Sequence, residues 1–492
     1  MSNVQLENGW RSQAGYVWSV LGSAVGFANI LSFSSQAYKN GGGAFLIPYC
    51  LALFLLGIPL LILEGIVGQR TQSPLVTAFN RVWGKTGKTL GWLAVIACLT
   101  IGAFYIVLTG YSLAYTYFSA TGTIGEDTQS FFLHQFLHIT PSIKDFGSIS
   151  WWILIPMAAT AVAAYFVMAR SVRDGIEKVC SFFMPLLALI VAGFAIIASF
   201  LPGGLTGWSY FLTPDFSRLT DPLLWRDVFG QLFFSLSLGL GIIVGYSRHT
   251  GTIANVPRAL LYVALGDFAV SFISGAAIFA TLAHISHVQG IPFESLAASD
   301  STFELGFIIF PKILKFLGPV LSQGVGAVFF FCLFIAGITG LFSIAESIAG
   351  NVEVEFGLTR KSAVRASLFA IAGLALFFCM GNASHLIDSL APMVLGTNML
   401  IGGLILIAAF QFGSLEISRD PVWRGRWNLN RFFLRAIAPP ILAIILAGNL
   451  LEEFSSFDMM KTVRWAWFFG ALAASAALAQ FAKRALPVKA EV

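Results

Sequence analysis

Gly22-Ser23-Ala24-Val25-Gly26-Phe27-Ala28-Asn29, followed by Ser32, Ser34 and Ser35, sits near the middle of the first long apolar run of this 492-residue chain. Ser235-Leu236-Ser237-Leu238-Gly239-Leu240-Gly241 sits at the middle of the sixth. Glycine costs roughly 1 kcal/mol in a helix interior, and serine hydroxyls divert backbone hydrogen bonds. Both stretches therefore predict helices broken halfway across a membrane, where freed backbone groups line a cavity. Close helix packing through small residues accounts for the same composition. The two runs lie five apart, which suits a five-helix repeat inverted in the membrane and favours the broken-helix reading.

Hydrophobic residues make up 57% of the chain and charged residues 11%. A soluble chain carries roughly a quarter charged residues, so soluble, disordered and coiled-coil classes are excluded. Cys50, Cys98, Cys180, Cys332 and Cys379 all fall in apolar stretches, which argues against a disulfide framework. A spanning helix needs about 20 mostly apolar residues. Such runs lie near 12–37, 44–70, 90–120, 150–169, 178–200, 226–248, 257–285, 318–350, 363–381, 385–412, 432–451 and 463–482. The fold class is thus an all-α membrane protein of 12 transmembrane helices, the first and sixth broken. Residues 1–200 and 201–412 form the two inverted repeats, and 413–492 carry the last two spans.

The first run follows Glu7 and Arg11 without a small-residue cleavage site, so it reads as a retained span. With the N-terminus inside, 21 of the 29 Lys and Arg residues fall on the cytoplasmic side, which places both termini there. Outer segments 121–149 and 286–317 are long; the second reads as short helices forming a lid. Residues 413–431 read as a basic cytoplasmic connector. Glu64, Asp267, Glu346 and Asp388 lie within spans. Each costs at least ~2.5 kcal/mol at the bilayer centre unless it pairs, protonates or faces a cavity. Asp267 has no Lys or Arg within a helical turn, so a bound cation or a proton is its natural partner.

Several stretches then become recognisable. They are Ser23 to Asn29, Lys39-Asn40-Gly41-Gly42-Gly43-Ala44-Phe45-Leu46-Ile47-Pro48-Tyr49, and Gly57-Ile58-Pro59-Leu60 with Glu64. With them go Gly175-Ile176-Glu177-Lys178 and Pro185, Gly230 to Gly239, and Ala336-Gly337-Ile338-Thr339. Nearly the whole chain resembles the neurotransmitter:sodium symporter family, above all its bacterial amino-acid transporters of LeuT-like fold. The resemblance implies a multi-pass protein of the cell membrane, here a bacterial inner membrane, that binds two Na⁺ ions. A first sodium site is implied at the Ala24 carbonyl, Asn29, Ser235 and Asp267. A second is implied at the carbonyls of Gly22, Val25 and Ala336 with the Thr339 hydroxyl. The implied substrate pocket comprises Ala24, Gly26, Phe27, Ala28, Ile101, Tyr105, Phe234, Ser235, Ser237, Leu240, Gly340 and Ile344. Amides near Phe27 and Ala28 and the Tyr105 hydroxyl would hold a carboxylate. Phe234 and Tyr105 would close over it as an outer gate. Gly175 and Pro185 would let span five unwind on the inner side.

The sequence departs from the family at four places. Ser32 and Ser34 replace the outer-gate arginine and its neighbouring proline, leaving Asp388 as the retained acidic partner, either protonated or hydrated, or met by another donor such as Gln231 or the substrate amine. Asp267 stands where asparagine is usual. The residues resembling a chloride site (Tyr49, Gln231, Ser235, Ser271) are present, but two anions there would repel by several kcal/mol, so chloride is not required. Glu7 and Val354 replace the inner-gate pair, which makes a Glu7–Arg248 pair conceivable. Gly340 lacks the hydroxyl usual beside the second sodium site. Its missing side chain, with Leu240, enlarges the pocket toward a large apolar or aromatic amino acid.

These readings lead to a sodium-coupled symporter that imports a neutral amino acid by alternating access. A channel-like or receptor-like binding protein of the same fold that has lost coupled transport is the alternative. An enzyme is disfavoured: the six histidines are scattered, and His284 with His287 lacks a carboxylate. Nucleic acid is not a partner, because the basic residues are spread over many segments. The partners are the bilayer and a small amino acid.

Overall fold

The computed structural model describes residues 9–293, 296, 305–315, 318–412, 417, 423–424, 428–456 and 458–481. Glu7, residues 297–304 of the lid segment and most of the 413–431 connector lie outside the described residues. Among the described residues there are helices and turns but no strand. The helices are α1 (Gln13–Ala24), α2 (Ala28–Lys39), α3 (Gly43–Thr71), α4 (Leu75–Thr121), α5 (Trp151–Met168), α6 (Arg173–Phe200), α7 (Gly204–Leu212) and α8 (Pro222–Ser235). They continue with α9 (Ile242–Ser247), α10 (Val256–Gln289), α11 (Pro319–Phe356), α12 (Arg360–Cys379), α13 (Ala383–Ala409), α14 (Asn428–Ser455) and α15 (Met459–Phe481).

Ten of these are long and apolar enough to cross a membrane, and α1 with α2 makes an eleventh as a pair bent by 58°. In place of the sixth apolar run stand α8 and α9, of 14 and 6 residues, separated by 236–241. Helix α4 begins at Leu75 rather than near 90. A kink at Trp83 and Gly84, the latter at φ 55°, joins a short lead-in to the span proper. Helix α4 packs more extensively on α11 than any other pair does, and α14 and α15 stay at the rim. At one end Tyr115 gathers Phe132, Phe136, Phe307 and Phe330 at centroid distances of 5.0–6.2 Å. This aromatic cluster pins the 131–136 and 305–309 segments onto α4 and α11.

Both breaks have local causes. Helix α1 ends where Val25 turns extended (ψ 108°), and the next amide, Gly26 N–H, is taken by the Asn29 side-chain oxygen at 2.9 Å. Between α8 and α9, Ser237, Gly239 and Gly241 all adopt left-handed backbone (φ 54°, 80° and 71°). The Gly239 amide donates to Glu64 Oε1 at 2.6 Å, so a buried carboxylate on α3 replaces the lost helical acceptor. A Cβ at Gly239 would stand 2.1 Å from the Met399 carbonyl oxygen. Gly239→Ala combines left-handed strain with a backbone clash, and we expect it to destabilise the protein by about 2–5 kcal/mol. The check is the thermal unfolding midpoint in detergent; an unchanged midpoint would argue against this break.

Candidate functional site

The two breaks face each other across a pocket. Of the residues expected there, Ala24, Gly26, Ala28, Ile101, Tyr105, Phe234, Ser237, Leu240, Gly340 and Ile344 line it. Ser23, Ile242, Ser343, Leu395 and Met399 also line it and were not singled out from the sequence. Phe27 and Ser235 do not line it. The Phe27 ring instead packs edge-on against Tyr105, centroids 5.2 Å apart, and the Tyr105 hydroxyl lodges beside Gly26 and Gly340. That hydroxyl thus already lies at the N-terminus of α2, where free amides and the helix dipole favour an anion.

Ser235 turns into a second cluster beside the pocket. Asn29 Nδ2 lies 2.6 Å from Asp267 Oδ1, 2.8 Å from Ser271 Oγ, 3.0 Å from Ser235 Oγ and 3.3 Å from the Asp267 carbonyl. Ser235 Oγ donates to Asp267 Oδ2 at 2.8 Å, and all four residues are fully buried. An amide nitrogen has two hydrogens to offer, yet four oxygens converge on it. Such a surplus of oxygens is the donor set a hard cation takes. Ala24, at the end of α1, belongs to the last helical turn, whose carbonyls lack helical partners.

Of the second expected sodium site, Ala336 and Thr339 adjoin on α11, and Gly22 connects to Thr339 by way of Met184. The Ala336 carbonyl faces Gly26 across the pocket, 4.0 Å from where its Cβ would be. Thr339 Oγ1 lies 3.1 Å from the Ala336 carbonyl and 3.8 Å from Met184 Sδ, and Met184 in turn packs on Gly22. Val25 is buried beside them in the break. The expectation about Gly340 needs correction. Its missing side chain does not enlarge the pocket, because a Cβ there would stand 2.4 Å from the Tyr105 hydroxyl. The same hydroxyl would stand 2.4 Å from a Cβ at Gly26. Tyr105 fills the space that both glycines vacate.

Phe234 and Leu395 separate the pocket from a wider vestibule and line both. Here a second expectation changes. Asp388 does not line the vestibule; its helix presents Ala391 instead, and the Asp388 carbonyl faces Arg464. No ion pair bridges Ser32. Its hydroxyl donates to Gln231 Oε1 at 2.7 Å, and Gln231 Nε2 donates to the Ala28 carbonyl at 2.7 Å. The vestibule's charges lie farther out, in Arg464–Glu453 (2.6 Å) and Arg226–Glu452. Because Gln231 is committed to α2, the residues resembling a chloride site reduce to Ser235 and Ser271 within the Asp267 cluster, with Tyr49 packed on Phe268 beside it.

At the opposite end, which the Lys and Arg count predicts to be cytoplasmic, Arg248 approaches Glu346 (3.4 Å) and Glu353 (3.5 Å), and Arg360 holds Glu346 at 2.5 Å. Arg248 thus has acidic partners on α11, and Val354 is exposed. Trp10 Nε1 donates to the Tyr246 carbonyl at 2.9 Å. Gly175 sits in a π-helical turn at 173–177, where a Cβ would meet the Val167 carbonyl at 2.1 Å, and Pro185 lies inside α6. Glu177, from the same turn, accepts the Arg11 amide at 2.6 Å and so ties the start of α1 to α6.

A family model described as the sodium:neurotransmitter symporter family matches residues 7–127 and 123–401. An uncharacterised sodium-dependent transporter of Methanocaldococcus jannaschii is 34% identical over 482 residues, 96% of each chain. The sodium- and chloride-dependent GABA transporter 2 of Rattus norvegicus is 27% identical over 75% of this chain and 66% of its own. The solved structure of MhsT in complex with L-phenylalanine superposes with a TM-score of 0.77 at 27% identity, covering 90% of this chain and 99% of that one.

If the Asn29–Asp267 cluster holds Na⁺, replacing K⁺ by Na⁺ at constant ionic strength raises the unfolding midpoint of the purified protein. A ligand at a hundred times its Kd stabilises by about 2.7 kcal/mol. Asn29→Ala should remove most of that increment while leaving a folded protein in K⁺. Equal sodium increments in the two proteins would count against the assignment.

Proposed function

The chain belongs to the sodium:neurotransmitter symporter family, and from that premise we propose that it imports a neutral, large apolar or aromatic amino acid by Na⁺-driven alternating access. Sodium-coupled transport is the family's activity; the substrate class, the use of two ions and the independence from chloride are our reading. The observation that carries it is the single pocket between two helix breaks, with free amides and the Tyr105 hydroxyl at one wall and the Asp267 cluster beside it.

A substrate carboxylate would take the Phe27 and Ala28 amides and the Tyr105 hydroxyl. Placed there, it lies next to the first sodium site, so each ligand favours the other, and the coupling must be reciprocal. The substrate ammonium would meet carbonyls bared at the ends of α1 and α8. The walls of Ile101, Leu240, Ile344 and Phe234 favour an apolar side chain. MhsT, which holds L-phenylalanine in its solved complex, supports the same size class.

Chloride independence rests on Asp267. A fixed carboxylate beside Ser235 and Ser271 supplies the negative charge that a bound chloride would bring, and a second anion there is repelled. The relative named as chloride-dependent shares only 27% identity. We further place both termini in the cytoplasm of a bacterial inner membrane and assign 1–200 and 201–412 to the two rocking repeats.

The test is uptake into proteoliposomes of each of the twenty amino acids under an inward Na⁺ gradient. We expect accumulation of large apolar or aromatic amino acids, lost when K⁺ replaces Na⁺ and retained when gluconate replaces chloride. Ion currents without accumulation would favour a channel, and an absolute chloride requirement would overturn the role given to Asp267.

A further inference from the structure

Many serine and threonine hydroxyls in these helices bond the carbonyl four residues back. Ser19 does so to Gly15, Ser34 to Ile30, Thr109 to Tyr105 and Ser112 to Leu108, at 2.8–3.2 Å. Ser23 does not. It is 94% buried, its hydroxyl has no partner, and it lines the pocket. Two further serines line the wall: Ser237, in the second break, and Ser343 of α11, which is satisfied on the Gly340 carbonyl at 2.8 Å. Ser23 belongs to the end of α1, on the far side of the break from the α2 amides that suit a carboxylate. The wall also includes Leu240, Ile242 and Met399, all apolar.

A buried hydroxyl with no partner is unfavourable, and a ligand that supplies one gains what an isosteric apolar ligand forfeits. Sites that hydrogen-bond a substrate group discriminate strongly against analogues lacking it, whereas a purely apolar wall discriminates weakly. We infer that Ser23 is a specificity-determining residue that selects aromatic amino acids carrying a hydrogen-bonding atom on the ring, a phenol or an indole, over a plain phenyl ring. This rests on the amino-acid reading above and narrows it. The Ser23 hydroxyl would donate to a phenol oxygen or accept from an indole N–H. The apolar walls would hold the ring, and the carboxylate would remain on α2.

The experiment measures Na⁺-dependent binding of L-tyrosine, L-tryptophan and L-phenylalanine to the full-length protein in detergent, for the wild type, Ser23→Ala and Ser23→Thr. In the wild type at least one of tyrosine and tryptophan should bind about tenfold more tightly than phenylalanine. Ser23→Ala should collapse that ratio to within about twofold, with Na⁺-dependent phenylalanine binding still measurable, which also shows that the variant folds. Ser23→Thr, which keeps a hydroxyl, should retain most of the preference. Equal wild-type affinities, or an equal loss for all three ligands in Ser23→Ala, would overturn the inference and leave the symporter reading standing. The absence of Na⁺-dependent binding by any of the twenty amino acids would instead remove the reading on which it rests.

Discussion

A peptide group stripped of its helical partner in the middle of a bilayer must find another, and water is not at hand. The rest of this molecule depends on how that requirement is met at two places. In the first break the Asn29 side chain receives the Gly26 amide, and Gln231 reaches from α8 to the Ala28 carbonyl. In the second the Glu64 carboxylate receives the Gly239 amide, while Cys98 Sγ lies 3.6 Å from the Leu240 carbonyl. Polar side chains from α2, α3, α4 and α8 therefore substitute for absent helical turns. The cavity and the breaks are one feature, since neither is tolerable in lipid without the other.

Charge is distributed accordingly. Close to the pocket the contacts between α2 and α8 are neutral, made by Ser32, Gln231 and Ala28. Full ion pairs appear at the two ends of the bundle, as Arg464–Glu453 at one and as Arg360–Glu346 and Lys88–Glu355 at the other. Exposed pairs contribute little, and buried ones are costly unless well bonded. Glu355 meets that condition with Lys88 at 2.7 Å and Thr77 at 2.8 Å. Two buried acids close to mid-membrane are exceptions, with neutral bonded partners: Glu64, held by the Gly239 amide, and Asp267, held by Asn29 and Ser235. Of the two, Asp267 stands where several oxygens converge, the set that a cation would complete.

The breaks were legible in the sequence because glycine and serine in an apolar run leave few alternatives, and paired positions five spans apart removed most of the rest. Most of the pocket lining was legible through motifs. What was not legible depended on contacts between distant residues. Asp388 misses the vestibule because one helical turn decides which residue faces inward, and the π-helical turn at Pro392–Thr397 lies next to it. Gly340 reads as an enlarged pocket only until the Tyr105 ring is seen in its place. The partners of Arg248 lie about a hundred residues away on α11, beyond any local pattern. Ser23 stood inside the quoted motif, yet only the missing bond to its own helix sets it apart from the serines around it.

The Asn29 amide also suggests how ion and pocket communicate. Its oxygen holds the Gly26 amide, and its nitrogen sits among the oxygens of Ser235, Asp267 and Ser271. A cation among those oxygens requires an oxygen of Asn29, not its nitrogen, as neighbour. The amide must then turn or share, and the support of the Gly26 N–H changes with it. Gly26 is also where the Tyr105 hydroxyl lodges against Gly340. A change in the cluster would therefore be transmitted through one side chain to the backbone that lines the pocket and to the hydroxyl poised at the N-terminus of α2. No long chain of contacts would be needed, because the Asn29–Asp267 cluster and the pocket share the same four-residue turn from Gly26 to Asn29.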